Sequence, residues 1–205
     1  MSAAIALTDS KSDLRRRLRE QRRALAPAAR RAAAQALAAN LCATRNFRVA
    51  RRIACYLAAD GEIDTVPILE RLDRLNKHAY VPVLSRIGHD RLWFAPAHSD
   101  AARVANRFGI LEPQVPPGQL VRARELDLIL LPVVGFDAVG GRLGMGGGFF
   151  DRSLAFLAGR EHWRKPHLIG IAYDFQKVAT LPREPWDVPL DAVVTDQGVY
   201  VAPTL

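Results

Sequence analysis

The run Arg142-Leu143-Gly144-Met145-Gly146-Gly147-Gly148-Phe149-Phe150-Asp151-Arg152 carries the strongest chemical signal in this 205-residue chain. Four of the five residues from Gly144 to Gly148 are glycine. A backbone so stripped of side chains can approach a ligand closely and adopt positive φ. A helix is predicted just after the run, over residues 153–157. Free N–H groups at the start of such a helix favour an anion, most naturally a phosphate. Arg142 and Arg152 flank the glycines with cationic forks, and Asp151 adds a carboxylate suited to magnesium. The pattern is neither the Walker sequence, which needs Gly-Lys before Ser or Thr, nor the spaced glycines of a dinucleotide site. The plainer alternative is a flexible glycine turn without a ligand.

Such a loop needs elements to hold it. Residues 126–134 form the most hydrophobic segment and are predicted as a central strand. Further strands are predicted at 52–57, 79–84, 92–94, 168–172 and 192–195. Asp9 or Ser10 can cap a helix whose Leu14, Leu18 and Leu25 recur at helical spacing. Ala26-Pro27 breaks that helix, and an alanine-rich one follows over about residues 28–42. Asp64 or Thr65 caps another, through Pro67, Ile68, Leu69 and Leu72. A loop rich in Pro and Gly is expected over 108–118. Strands alternating with helices imply an α/β fold: a three-layer, mainly parallel sheet with helices on both faces. In such sheets ligands bind beyond the carboxyl ends of the strands, where the glycine loop falls.

One domain over residues 1–205 is expected, with a basic N-terminal helix at about 10–25. With 49% of residues hydrophobic, the chain can bury a real core. No apolar stretch approaches the roughly 20 residues that span a bilayer, and the apolar start over 1–7 lacks the basic flank of a secretory signal. Cys42 and Cys55 lack metal-ligand spacing and sit among apolar residues. They read as buried free thiols of a cytoplasmic protein. The net charge of +8 is concentrated: from Lys11 to Arg31 nine basic residues face only Asp13 and Glu20, a window of +7. A basic body is thereby excluded, and a basic helix remains.

Several separated motifs together resemble those of the 5-formyltetrahydrofolate cyclo-ligase family, also called methenyltetrahydrofolate synthetases. Lys11-x-x-Leu14-Arg15 is similar to its opening K-x-x-L-R, and Glu62-Ile63-Asp64-Thr65 to its E-[IV]-D-T. Asn106 to Pro113 matches its F/Y-G-I-x-E-P segment, and Val133-x-Gly135-Phe136-Asp137 through Arg152 its glycine signature. Leu181-Pro182 through Asp187, with Val194-Thr195, matches its closing segment. The resemblance implies a fold like that of the NagB/RpiA/CoA transferases. It also implies a carbon–nitrogen cyclo-ligase that uses ATP and Mg2+ to convert 5-formyltetrahydrofolate to 5,10-methenyltetrahydrofolate, with ADP and phosphate released.

By the same resemblance, Lys11 and Arg142 are the catalytic cations. ATP and its phosphates would meet Lys11, Arg15, Arg142, Gly144, Met145, Gly146, Gly147, Gly148, Phe149 and Asp151. The folate would meet Tyr56, Glu62, Phe149, Phe150 and Trp186, and the metal Asp151 and Asp187. A monomer is the default, and a polyglutamate tail on the folate could be drawn by the basic helix. Each assignment has a structural counterpart. Lys11 and Arg15 could be a solvated helix face, as the other arginines of that helix are taken to be. Glu62 could be a helix-entry acid, Asp151 a helix cap paired with Arg152, and Asp187 a loop acid. Asn106 and Glu112 are read as structural. Trp93 joins the aromatics that could wall a pterin ring, although aromatics in α/β proteins more often fill the core.

Where many relatives carry tyrosine, this chain has Met145, Phe149 and Phe150, and Trp186 stands where many have histidine. The Phe149-Phe150 pair leaves open a paralogue that keeps the phosphate loop for another substrate. A nucleic-acid binder using the basic helix is the more remote reading, because aromatics are not interleaved with the basic residues.

Overall fold

The computed structural model describes residues 10–85, 91–97, 102–158 and 165–203. The predicted Asp9 cap and the apolar start at 1–7 lie outside them. Ser10 caps the first helix, its hydroxyl accepting from the Asp13 N–H at 3.1 Å, and α1 runs over Lys11–Ala24. The extended Leu25 ends it, and Pro27 takes the first position of α2 (Pro27–Ala43), where its missing N–H costs nothing. A short α3 (Arg45–Val49), capped by the Thr44 hydroxyl, is an element the sequence reading does not separate. The chain continues through β1 (Arg52–Ala54), α4 (Val66–Arg74), β2 (His78–Leu84), β3 (Leu92–Pro96), β4 (Arg103–Ala105), β5 (Leu111–Pro113) and β6 (Leu128–Pro132). It ends through β7 (Gly135–Phe136), β8 (Arg142–Leu143), α5 (Phe149–Leu154), β9 (His167–Ile171), β10 (Ala192–Val194) and β11 (Val199–Val201).

Seven of these strands form the main sheet, in the order β11-β10-β9-β6-β1-β2-β3. The five inner strands are parallel to one another, and β11 and β3 close the edges antiparallel. The expected α/β architecture holds, with β6 central between β9 and β1. Alternation along β6 explains its uniform hydrophobicity. Leu128 and Leu130 join Leu37, Leu41, Phe47, Ile68 and Leu72, from α2, α3 and α4, on one face. Ile129 and Leu131 join Phe94, Phe136, Leu154 and Leu157 on the other. A strand buried on both faces reads as a continuous apolar run. Burying each Leu or Ile side chain stabilises by about 1.5–3 kcal/mol.

Three expectations need correction. The segment 108–118 is not merely a loop: β5 lies within it and pairs antiparallel with β4 as a hairpin. These strands are three residues each, too short to show a hydrophobic period. The helix predicted at 153–157 starts at Phe149, because Gly148 at φ +65° caps it; a 3-10 turn, Ala155–Leu157, follows. Cys42 is only half-buried, whereas Cys55 is buried and its thiol is pushed up to about 12 by burial. Among the described residues no helix is long and apolar enough to cross a membrane.

A third, small cluster sets up the site. Leu14 and Leu18 of α1 pack on Val134, Leu143 and Leu181. This lays α1 beside the β7–β8 hairpin, beyond the carboxyl end of β6. Gly135 makes the approach possible: a Cβ there would lie 2.9 Å from Leu18 Cδ1.

Candidate active site

With Leu14 and Leu18 buried, helical spacing puts Lys11 and Arg15 on the adjoining stripe of α1. Arg15 Nε donates to the Gly144 carbonyl at 2.8 Å, joining residues 129 positions apart in sequence. The glycine loop is open: Met145 is 51% exposed, and Gly146 and Gly148 hold φ of +100° and +65°. The cations around it are paired internally. Lys11 Nζ stands 3.6 Å from Glu184 Oε1, and Arg152 Nη2 donates to the Gly147 carbonyl at 2.7 Å. Arg142 donates to the Val188 carbonyl and pairs with Asp151. Burial lowers the pKa of Arg142, while Asp151 and Asp187 oppose that shift.

Asp151 is therefore tied to Arg142, not to Arg152 as the capping alternative held. Asp187 accepts the Glu184 N–H at 2.9 Å within a tight turn. The buried Asp137, to which the sequence pattern assigns no role, builds the hairpin. It accepts from Val139, Gly141 and Leu181 N–H groups, and a Cβ on Gly141 would collide with it at 2.4 Å.

A second cluster lies at the carboxyl end of β1, in the loop over residues 58–62. Here two of the α1 arginines expected in solvent, Arg19 and Arg22, are drawn in, whereas Arg16, Arg17 and Arg23 are exposed as expected. Arg22 is 1% exposed; it donates to the Asp60 carbonyl at 3.0 Å and pairs with Asp60 Oδ2 at 2.9 Å. Arg19 reaches the same oxygen at 2.7 Å, and Arg23 pairs with Oδ1. Arg15, Arg19 and Arg22 follow at i, i+4 and i+7, so one helix face supplies cations to both clusters. That spacing was readable; what hid the role was Asp60, whose φ of +52° bends the loop onto α1. Burial acts to raise the Asp60 pKa, but hydrogen bonds from Arg19 and Arg23 and the arginine charges outweigh it and hold it low.

Glu62 sits beside this knot. Its Oε2 accepts the Ala59 N–H at 3.1 Å and its Oε1 lies 4.0 Å from Arg22 Nη1. Burial raises its pKa, against the pull of that N–H and of Arg22. It is no helix-entry acid, since Asp64 serves there by accepting from the Val66 N–H. Glu62 and Asp60 line a cleft of about 340 Å3 with Arg30 and Arg31.

The aromatics divide. Tyr56 is buried, with its hydroxyl donating to the Ile63 carbonyl at 2.8 Å, and Trp93 on β3 lies under Arg122. Phe150 packs against the core below the loop. Phe149 meets Phe108 edge-on at 5.8 Å, with Arg107 and Arg152 over its ring. Trp186 is 66% exposed in its turn. Asn106 and Glu112 act structurally: Glu112 Oε1 accepts from both Asn106 Nδ2 and the Leu84 N–H, tying the β4–β5 hairpin to β2. Among the described residues no group of three His, Cys, Asp or Glu side chains could hold a metal ion.

The arrangement thus offers an open glycine loop ringed by cations that rest on protein oxygens, and a largely buried carboxylate in a separate corner. A family model described as the 5-formyltetrahydrofolate cyclo-ligase family matches residues 7–196. The chain is 38% identical over 185 residues to a 5-formyltetrahydrofolate cyclo-ligase of Escherichia coli, covering 89% of this chain and 98% of that one. It is 36% identical to one of Haemophilus influenzae, covering 89% and 96%. Its fold is similar to that of the Aquifex aeolicus 5,10-methenyltetrahydrofolate synthetase, with a TM-score of 0.77, 30% identity and 95% of each chain covered. The Mycoplasma pneumoniae 5,10-methenyltetrahydrofolate synthetase gives 0.68 at 26% identity, covering 92% and 99%.

Proposed function

This chain belongs to the 5-formyltetrahydrofolate cyclo-ligase family, and we propose that it closes the 5,10-methenyl ring of tetrahydrofolate at the expense of ATP. The observation that carries this reading is the Arg15–Gly144 bond, because it brings the Lys11/Arg15 stripe and the glycine loop into one place. A formamide oxygen is a poor leaving group, so the formyl oxygen first attacks the γ-phosphorus and ADP departs. N10 then attacks the activated carbon, loses its proton, and the former formyl oxygen leaves as phosphate. Phosphoryl transfer asks chiefly for positioning and charge neutralisation. The residues proposed for this are Lys11, Arg15 and Arg142, with the N–H groups of Gly146–Gly148 and the start of α5 as the phosphate cradle. To bind, the phosphates exchange with the internal oxygens these cations now hold.

On the folate side, Glu62 is proposed to accept an N–H of the heterocycle, with Phe149 and Phe150 as the apolar contact. Tyr56 supports from below, through its bond to Ile63. Trp186, being exposed, would meet the folate only at its outer end. Among the described residues the side chains form no metal cage of their own, as Asp151 is held by Arg142 and Asp187 by its turn. Magnesium would arrive with the nucleotide, and Asp151 and Asp187 are the carboxylates proposed to help hold it, neutralising phosphate charge during transfer.

The test is to mix the protein with magnesium-ATP and 5-formyltetrahydrofolate and follow the long-wavelength absorbance of the conjugated product. An ATP-dependent rise, matched by ADP and lost in Lys11→Ala, is expected. A protein that binds ATP but gives no rise would overturn the folate reading.

A further inference from the structure

A buried arginine calls for a reason, since a guanidinium without partners is costly to remove from water. Arg22 lies on the α1 face that supplies Lys11 and Arg15, yet it is 1% exposed and turned toward the folate corner. Two interactions with Asp60 fix its plane, one to the backbone carbonyl and one to the carboxylate. The fit is close: a Cβ on Gly61, at φ +74°, would lie 3.3 Å from the Arg22 carbonyl oxygen. Asp60 does not need Arg22 for neutralisation, because Arg19 and Arg23 already bind it. What Arg22 adds is a positive charge 4.0 Å from Glu62 Oε1, the larger of the two arginine influences on that carboxylate.

That oxygen is the informative one. Oε2 is satisfied by the Ala59 N–H, whereas Oε1 faces Arg22 at a distance too long for a hydrogen bond. It keeps its lone pairs for another donor. The charged groups around Glu62 are Arg19 and Arg22 from α1 and Asp60 from its own loop; the neutral Tyr56 hydroxyl beyond β1 is the other titratable group near it. Arg30 and Arg31 of α2, with Asp64, line the same cleft. Arg30 donates to the carbonyls of Leu25 and Arg23, which ties it to the end of α1.

We propose that Arg22 is a positioning residue of the folate site: locked by Asp60, it holds its charge 4.0 Å from Glu62 Oε1 and keeps that oxygen an acceptor for a substrate N–H. Burial alone would favour a neutral Glu62, which would present an O–H on one of its oxygens. The proposal rests on Glu62 being the folate contact.

The test is the pH dependence of kcat/KM, with the folate and ATP varied separately, in the wild type, Arg22→Met, Arg22→Lys and Glu62→Gln. In Arg22→Met the acid limb of the folate profile moves up by about one pH unit, a tenfold loss on the acid side. The ATP KM stays within about twofold. Arg22→Lys restores part of the shift, since it returns the charge without the fork; it also carries the test should Arg22→Met not fold. An unmoved limb in a folded variant overturns the proposal, as does a parallel loss in both substrates. Glu62→Gln separates the two readings. If it removes the limb and Arg22→Met leaves the limb in place, only the role of Arg22 falls. If it changes neither limb nor folate kcat/KM, the Glu62 reading falls and this proposal with it.

Discussion

The glycine loop and the Glu62 corner lie beyond the carboxyl ends of β6 and β1, both served by α1, but they are built on opposite principles. The corner is closed: Asp60 is bound by three arginines and Arg22 is buried. The loop is open, its cations resting on oxygens of Gly144, Gly147, Asp151 and Glu184. A polyanion brings charge enough to displace such contacts, so provisional pairing suits a nucleotide. A largely neutral heterocycle brings only hydrogen bonds and area, and its recognition depends on groups already in place. The contrast predicts that substitutions in the loop act on ATP and on the chemical step, and those in the corner on the folate.

The sharpest break is expected from Lys11→Ala. Removing one charge that stabilises a transferring phosphoryl group costs about a hundredfold to a thousandfold in kcat. Because Lys11 is partly exposed and its pair with Glu184 is a surface one, thermal stability should hardly change. A loss confined to folate KM would place Lys11 in the wrong half of the site. Next in size is Leu18→Ala. Leu18 is 1% exposed in the cluster that docks α1, so the cavity should cost about 2–5 kcal/mol. Since α1 serves both regions, ATP and folate affinities should fall together, which a denaturant titration beside the two KM values would reveal.

The corner's own charges give a smaller effect, of distinctive sign. The Asp60 pKa is held low, so its charge adds stability that is present above the unfolded value of about 3.9 and lost as pH falls through the lower folded one. Asp60→Asn should therefore lower Tm most near neutrality, the deficit closing under acid. Glu62 behaves in reverse, its raised pKa costing stability at neutral pH that is regained on protonation. Glu62→Gln should accordingly leave Tm unchanged or higher near neutrality. Parallel Tm profiles for the two variants would show that these neighbouring carboxylates do not differ as described.

The open region was the more legible in sequence, for a physical reason. Its signals are local: four glycines, flanking arginines, and Lys11 and Arg15 one helical turn apart. Long apolar segments such as β6 were equally clear, whereas β4, β5, β7, β8 and β11, of two or three residues each, carry no period. The corner is made by three arginines converging on a carboxylate some 40 positions away, and charge runs are usually solvated. Only the left-handed Asp60-Gly61 turn reveals it, and Asp60 is not a glycine. The pairing of Arg142 with Asp151 was within reach, nine residues apart, but the loop between them hid it.

Gly146→Ala probes how much the open loop depends on its backbone. A Cβ there meets nothing nearer than Arg15 Cζ at 4.0 Å, so the obstacle is the φ of +100° rather than a clash. The strain is about 1–2 kcal/mol. Relief by turning the peptide would move an N–H out of the cradle, so ATP KM should rise while folate KM stays level. A rise in both would show that the loop shapes the corner too.

Phe149 and Phe150, which open α5 directly after the glycine loop, carry the smallest effect and the finest discrimination. Phe149 is held from outside by Phe108 and two arginines, and a hydroxyl added there would enter a cationic, partly open surrounding. Phe150 packs on the buried cluster that holds Phe94, Phe136 and Leu154, and it is only partly buried. If its exposed edge borders the folate, Phe150→Tyr gains one hydrogen bond to the substrate, worth about 0.5–1.5 kcal/mol. Folate KM should then fall about twofold to tenfold at constant Tm, with ATP KM unaltered. Phe149→Tyr should change neither constant by more than about twofold, because a surface hydroxyl exchanges one water contact for another. If Phe150→Tyr lowers Tm and leaves folate KM unchanged, the hydroxyl has been buried without a partner, and Phe150 belongs to the core beneath the loop rather than to the folate wall.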